Sequence, residues 1–437
     1  MISNITTVYH GVPHGRFPLE AARGCPDCGL LSTLPEPEAG TDVFCPQCGK
    51  SFSRPRHRSL DHALSYAALG LVFCLLGITA PFLNVILYGR YQTSSMWSGM
   101  ESLNHQGFPF LGYLVLATTI LLPLTKLSLT VFVLGGLRYD NPPKGIVSAF
   151  RWLKHLSPWS MLEVFLLGFL VAYTRLQNLA TVHMDIAVYA LIGTVICMAA
   201  MDQALDRESV WARIHDHGLT NPKEPAKNAP TISCRVCHQV NRREEGEACI
   251  RCGETLHHRK HDSFAKSWAL IFAALIFYVP ANLFPVMDIT KVGMTTAHTI
   301  VGGMMEFWDE GMWPLALLIF MASIAIPVFK LVALAYMLLS AQSGSGRNLV
   351  GRTKLYRAVD FIGRWSMVDI FMVSILVSLM QFGELVHIVP DLAAPCFAMV
   401  VILTMLAVES FDPRLMWDLA DSSDKEYEPL PAESIIP

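Results

Sequence analysis

Eight long apolar stretches, nearly free of charge and separated by polar segments, dominate the chain. A membrane span needs roughly 20 apolar residues. The stretches fall at about 63–87, 109–137, 157–177, 184–204, 266–288, 312–340, 362–382 and 389–409. They form two similar sets of four. Leu122-Pro123-Leu124-Thr125-Lys126-Leu127 returns as Ile326-Pro327-Val328-Phe329-Lys330-Leu331, and Trp159-Ser160-Met161 with Glu163 returns as Trp365-Ser366-Met367 with Asp369. Asp206, Arg207 and Trp211 have counterparts in Asp412, Arg414 and Trp417, and each set is preceded by paired Cys-x-x-Cys clusters. The pattern predicts an all-α polytopic membrane protein of two parallel-repeat four-helix transmembrane units, each preceded by a small zinc ribbon.

The expected divisions are an N-terminal segment (1–22), a first ribbon (23–54), a first transmembrane unit (60–211), a second ribbon (230–256), a second unit (262–417) and a disordered acidic tail (418–437). Hydrophobic residues make up 52% of the chain and charged residues 16%, which favours a membrane protein over a soluble one. The net charge of −3 gives no bulk argument for nucleic acid as a partner. The first residues lack an apolar core, so no secretory signal is expected and insertion falls to the first span.

Loop charge sets the orientation. Lys50, Arg54, Arg56 and Arg58 precede span one; Arg138, Lys144, Arg151 and Lys154 separate spans two and three; Arg347, Arg352, Lys354, Arg357 and Arg364 separate six and seven. The alternate loops are poor in Lys and Arg. Both termini and both cysteine clusters are therefore expected in the cytoplasm.

Cys25, Cys28, Cys45 and Cys48 form two tight knuckles, and Cys234, Cys237, Cys249 and Cys252 form two more. Four thiolates suit tetrahedral Zn²⁺ with no open position, hence two structural sites per chain. A short β-hairpin between knuckles would complete each ribbon, and docking of the ribbons on each other or on loops is their expected role. Thiol redox chemistry is the rival reading, since Cys-x-x-Cys also marks oxidoreductases. The run His257-His258-Arg259-Lys260-His261 reads as a basic collar at the membrane surface.

Four charges lie inside spans: Lys126, Glu163, Lys330 and Asp369. Each costs roughly 2.5–3.5 kcal/mol at a helix centre, so each acid and base should pair or line a wet cavity. Helical spacing puts Ser323 on the Lys330 face and Ser366 on the Asp369 face, and Thr404 in span eight is placed to close the patch. A desolvated Lys–Asp pair can shift its protonation, which leaves proton coupling as a subsidiary reading. The bland alternative is an ion pair that fixes helix packing, with snorkelling lysines. Pro81, Pro280 and Pro285 are expected to break spans one and five near their outer ends, and Pro123 and Pro327 to kink spans two and six.

The sequence has no Gly-x-x-x-x-Gly-Lys-Ser/Thr phosphate loop, no His-Glu-x-x-His and no Gly-x-Ser-x-Gly, so no enzyme activity is expected. Three stretches carry a resemblance: Tyr278-Val279-Pro280-Ala281-Asn282-Leu283-Phe284-Pro285, Gly363-Arg364-Trp365-Ser366-Met367-Val368-Asp369 and Phe411-Asp412-Pro413-Arg414-Leu415-Met416-Trp417. Through them the chain resembles the paraquat-inducible protein A family of bacterial inner-membrane proteins, from the first ribbon to Trp417. That resemblance implies an inner-membrane component of lipid transport. It would pass phospholipid to or from a periplasmic MCE-type tunnel protein, with Ser323, Lys330, Ser366, Asp369 and Thr404 as its polar network and Lys126 and Glu163 as a first-half counterpart. A non-transporting membrane scaffold for the tunnel and a thiol-redox membrane protein are the alternatives.

Overall fold

The computed structural model describes residues 22–33, 43–53, 58–87, 90–177, 181–219, 230–291, 294–309, 311–380 and 386–424. Eight helices are long and apolar enough to cross a membrane: Ser59–Thr79, Pro109–Gly136, Ile146–Thr174 and Ile186–Ala204 in the first unit, then Ser263–Leu283, Trp313–Gln342, Leu349–Leu379 and Ala393–Ser410. They are spans one to eight below. Within each unit the first span packs along the fourth, and the third spans of the two units pack on each other. That central contact is close because Gly168 has no side chain: a Cβ there would lie 2.9 Å from Phe371 Cβ and 3.0 Å from the Val368 carbonyl.

Spans two and six each contain a π-helical stretch, Ala117–Leu121 and Met321–Ala325. Pro123 and Pro327 follow, and a proline ring cannot donate to the carbonyl four residues back, so the helix widens instead of continuing its ladder. Spans three and seven also begin differently from the expectation. Arg151 and Lys154 lie on an amphipathic helix, Ile146–Leu156, that buries Ile146, Phe150 and Leu153 on one face. Its second-half counterpart, Leu349–Gly363, is capped where Asn348 Oδ1 accepts from Gly351 N at 3.2 Å.

The far side of the bundle holds two three-stranded antiparallel sheets that the apolar pattern concealed. Leu83–Leu87 lies between Arg90–Ser94 and Thr181–Met184; Met287–Lys291 lies between Met294–His298 and Val386–Pro390. Alternate residues Leu83 and Val85, and Met287 and Ile289, point into the core. Spans one and five are correspondingly shorter than expected. Pro81 and Pro285 follow their helices and lead into the strands, so they end the spans rather than break them. Pro280 alone sits inside its helix, near Asn282, whose Nδ2 donates to the Tyr278 carbonyl at 2.9 Å.

On the opposite side the ribbons dock together. Gly24 N donates to the His238 carbonyl at 3.0 Å, and Arg23 Nη1 donates to Gln239 Oε1 at 2.6 Å. A Cβ on Gly24 would sit 2.4 Å from Ser233 Cβ, so glycine permits the approach. The docking crosses between halves. Trp417 of the second unit packs on the first cysteine cluster, while Phe150 and Trp211 of the first unit pack with the second. Among the described residues three knuckles are each the turn of their own hairpin (Ala22–Gly24 with Leu31–Thr33, for example) and the fourth is closed by a single bridge of Ala248 with Thr255, rather than the knuckles flanking one hairpin. The first residues of the expected disordered tail are ordered: Leu415–Asp424 is helical and Asp418 pairs with Arg259. The rest of that tail and nearly all of the N-terminal segment lie outside the described residues.

Candidate functional site

The cysteines assemble as the spacing predicts. Cys25 and Cys48 sulfurs are 3.5 Å apart and Cys28 and Cys45 3.6 Å; Cys234 and Cys252 are 3.5 Å apart and Cys237 and Cys249 3.6 Å. A tetrahedral ion with sulfur at roughly 2.3 Å requires sulfur edges of roughly 3.8 Å, so both sets fit a closed Cys₄ metal site. Neighbouring thiols, Cys25 first, hold the Cys45 sulfur well below the ordinary thiol range, and Cys234 first does the same for Cys249. Gly29, Gly49 and Gly253 follow three of the knuckles at φ of +80°, +69° and +72°. At the fourth, His238 takes the left-handed conformation itself, with φ +59°.

Glu208 joins the ribbons to the first unit, and nothing in the sequence singled it out. It opens the helix Arg207–Asp216, capped where Asp206 accepts from Ser209 N. Its carboxylate accepts from Arg23 of the first ribbon at 2.5 Å and from Arg251 of the second at 2.8 and 3.1 Å. Burial works against the charge, but Arg251 and Arg23 outweigh it and hold the carboxyl below its usual range. Asp412 behaves alike: burial opposes its charge, and the bidentate Arg414 keeps it low.

The intramembrane charges divide the two halves. In the first, Lys126 does not pair with Glu163. Its Nζ binds Asp202 at 2.7 Å, an acid two residues from the end of span four and half exposed, with 42% of its side chain accessible. Consecutive spans are not the closest neighbours here: span one lies along spans two and four and brings Asp202 within reach. The pair is a rim salt bridge made by a snorkelling lysine.

In the second half no ion pair joins Lys330 to Asp369 among the described residues. Lys330 is fully buried, and its Nζ donates to the Gly363 carbonyl at 3.4 Å. Gly363 is the last residue before the helix tightens into the 3₁₀ turn Arg364–Met367, where helix-end carbonyls lack ladder partners. Asp369 Oδ2 accepts from Ser323, which like Lys330 faces span seven, while Asp369 Oδ1 and the Ser366 hydroxyl have no partner. Thr404 is buried, but its hydroxyl donates to Val401 of its own helix at 2.9 Å and does not close the patch.

Two cavities flank this region. Asp369 lines a cavity of about 50 Å³ toward the far-side sheets, whose walls include Leu103 and Leu111 of the first unit with Met287, Ile300 and Phe397 of the second. Gly363, the acceptor of Lys330, lines a larger cavity of about 670 Å³ beneath the ribbons. The buried lysine and acid thus address opposite sides of one plug, with Ser366 between them in sequence.

Fold and site together define a duplicated polytopic membrane protein, each half headed by a Cys₄ ribbon, with a buried lysine and aspartate that form no ion pair with each other between two cavities. The sequence profile described as Paraquat-inducible protein A matches residues 60–215 and 264–421, and the chain belongs to that family. It is 30% identical to the Intermembrane transport protein PqiA of Escherichia coli, over 92% of this chain and 97% of that one. It is 29% identical to the Lipophilic envelope-spanning tunnel protein A of the same organism, over 92% and 93%. A Probable intermembrane transport protein of Haemophilus influenzae is 23% identical over 91% and 96%. No solved structure matches the chain.

Proposed function

We propose that the chain is an inner-membrane component of intermembrane lipid transport, passing phospholipid between the membrane and a periplasmic MCE-type tunnel protein. The ribbons and both termini face the cytoplasm, and each Cys₄ set holds a structural Zn²⁺. Orientation follows from the Lys- and Arg-rich loops on the ribbon side; the transport reading draws on the names carried by the relatives. The single observation that carries it within this chain is the second-half plug. A buried cation and acid left unpaired are costly, and here Asp369 opens onto one cavity while Lys330 abuts the wall of the other. A headgroup meeting Asp369, Ser323 and Ser366 would satisfy the open hydrogen-bonding positions, and the apolar far-side cavity suits acyl chain. The first-half pair, neutralised at the rim, has a packing role.

Lipid transfer from vesicles carrying the chain, with the tunnel partner present, tests the reading. Lys330→Ala and Asp369→Ala are expected to insert normally and to lower transfer at least tenfold. Full transfer by both variants, or by a tunnel anchored through an unrelated helix, would favour the scaffold instead.

A further inference from the structure

We infer that the ribbon-side cavity is a binding site for a phosphate-bearing anion, formed by cations from both units and the second ribbon. Seven cations and four carboxylates line its volume of about 670 Å³. Two of the carboxylates are engaged: Asp27 by Arg357 at 2.6 Å and Lys50 at 3.8 Å, Asp412 by Arg414 at 2.9 Å and Arg235 at 3.9 Å. Lys154, Arg207, Lys260 and Arg364 form no salt bridge among the described residues, although Asp412 and Glu409 act on Lys260, Asp360 on Arg364 and Asp202 on Arg207 from farther off. Lys154 and Lys260 donate to backbone carbonyls, which orient an ammonium without neutralising it. Arg235 keeps Nε and Nη2 free of hydrogen bonds. A neighbouring recess of about 360 Å³ shares Arg235 and Lys260 and has no acid in its lining.

These groups come from far apart in sequence. Lys154 lies on the amphipathic helix that opens span three, Arg207 after span four, Arg235 in a knuckle, Lys260 before span five and Arg364 in the 3₁₀ turn of span seven. Only the assembled fold gathers them. A walled cavity with an excess of one charge concentrates the opposite ion, and guanidinium and ammonium groups are the natural donors to phosphate oxygens. Basic pockets at the ends of transmembrane helices recognise anionic headgroups in this way. The site does not depend on the transport reading, and its test measures binding rather than transfer.

The full chain is placed in phosphatidylcholine nanodiscs. Retention of added phosphatidylglycerol is followed by native mass spectrometry, and binding of radiolabelled inorganic phosphate by equilibrium dialysis. Each cation near such a site contributes a factor of roughly five, so the Lys154→Gln/Arg364→Gln double variant should bind roughly 25-fold more weakly. Asp360→Asn, which removes a carboxylate from the lining, should bind about fivefold more tightly. Selective retention of the lipid, indifferent to excess phosphate, identifies a headgroup site; direct phosphate binding with the same variant dependence identifies a free-anion site. The inference is overturned if the wild type retains neither above the phosphatidylcholine background, or if the double variant binds undiminished. Should the double variant not insert, Asp360→Asn decides alone, and unchanged affinity in it overturns the inference.

Discussion

Replacing Glu208 by alanine removes a carboxylate that bonds to both ribbons from the first unit. Arg23 and Arg251, with side chains only 9% and 7% exposed, then lose the carboxylate they share. Losing one partner of a buried ion pair costs about 3–5 kcal/mol. The lower end applies here, since Glu208 retains 20% exposure and Arg23 keeps acceptors in Gln239 Oε1 and the Ala22 carbonyl. About 3 kcal/mol corresponds to a more than 100-fold rise in the population with ribbons undocked. Hydrogen exchange across 22–33 and 231–242 reports that opening directly, because Gly24 N–H is bonded across the ribbon interface. Glu208→Ala should accelerate exchange there by roughly two orders of magnitude while the far-side sheets keep wild-type protection. Acid gives an independent check. Because the folded carboxyl is held below its ordinary value, its contribution is complete above about pH 4.3 and is lost as pH falls through the lowered value. The difference between wild type and Glu208→Gln should therefore shrink in that acid range. Wild-type exchange rates in Glu208→Ala would show that apolar docking around Trp211 and Trp417 holds the ribbons without the clamp.

Two further outcomes follow from backbone geometry. His238→Gly relieves a left-handed residue in the second ribbon, so exchange in 231–242 should slow about fivefold, equivalent to about 1 kcal/mol; faster exchange would mean the imidazole contributes more than the strain costs. Gly168→Val places a branched side chain against Phe371 and the Val368 carbonyl, an overpacking cost of about 1–3 kcal/mol, read as a lower melting temperature and easier proteolysis between the units; an unchanged melting curve would argue that the third spans are free to separate.

The sequence by itself determined the number of spans, the duplication and the metal-binding sets. Apolar length and Cys-x-x-Cys spacing are local properties, and membrane insertion and ion coordination enforce them whatever the packing. It also located Lys330, Asp369, Ser323 and Ser366, because charge in an apolar run stands out. Who pairs with whom was decided only by tertiary structure. Lys126 takes Asp202 rather than Glu163 because span one brings span four beside it. Ser323 and Lys330 both reach span seven, but to Asp369 and to the Gly363 carbonyl, six residues apart, so the acid and the base stay apart. The far-side sheets were read as span ends since Leu83–Leu87 and Met287–Lys291 are apolar enough to continue a span, and their place as central strands is completed by partners about a hundred residues away. Glu208 and the basic cavity left no local mark, since each acquires meaning only when two ribbons and two units converge on it.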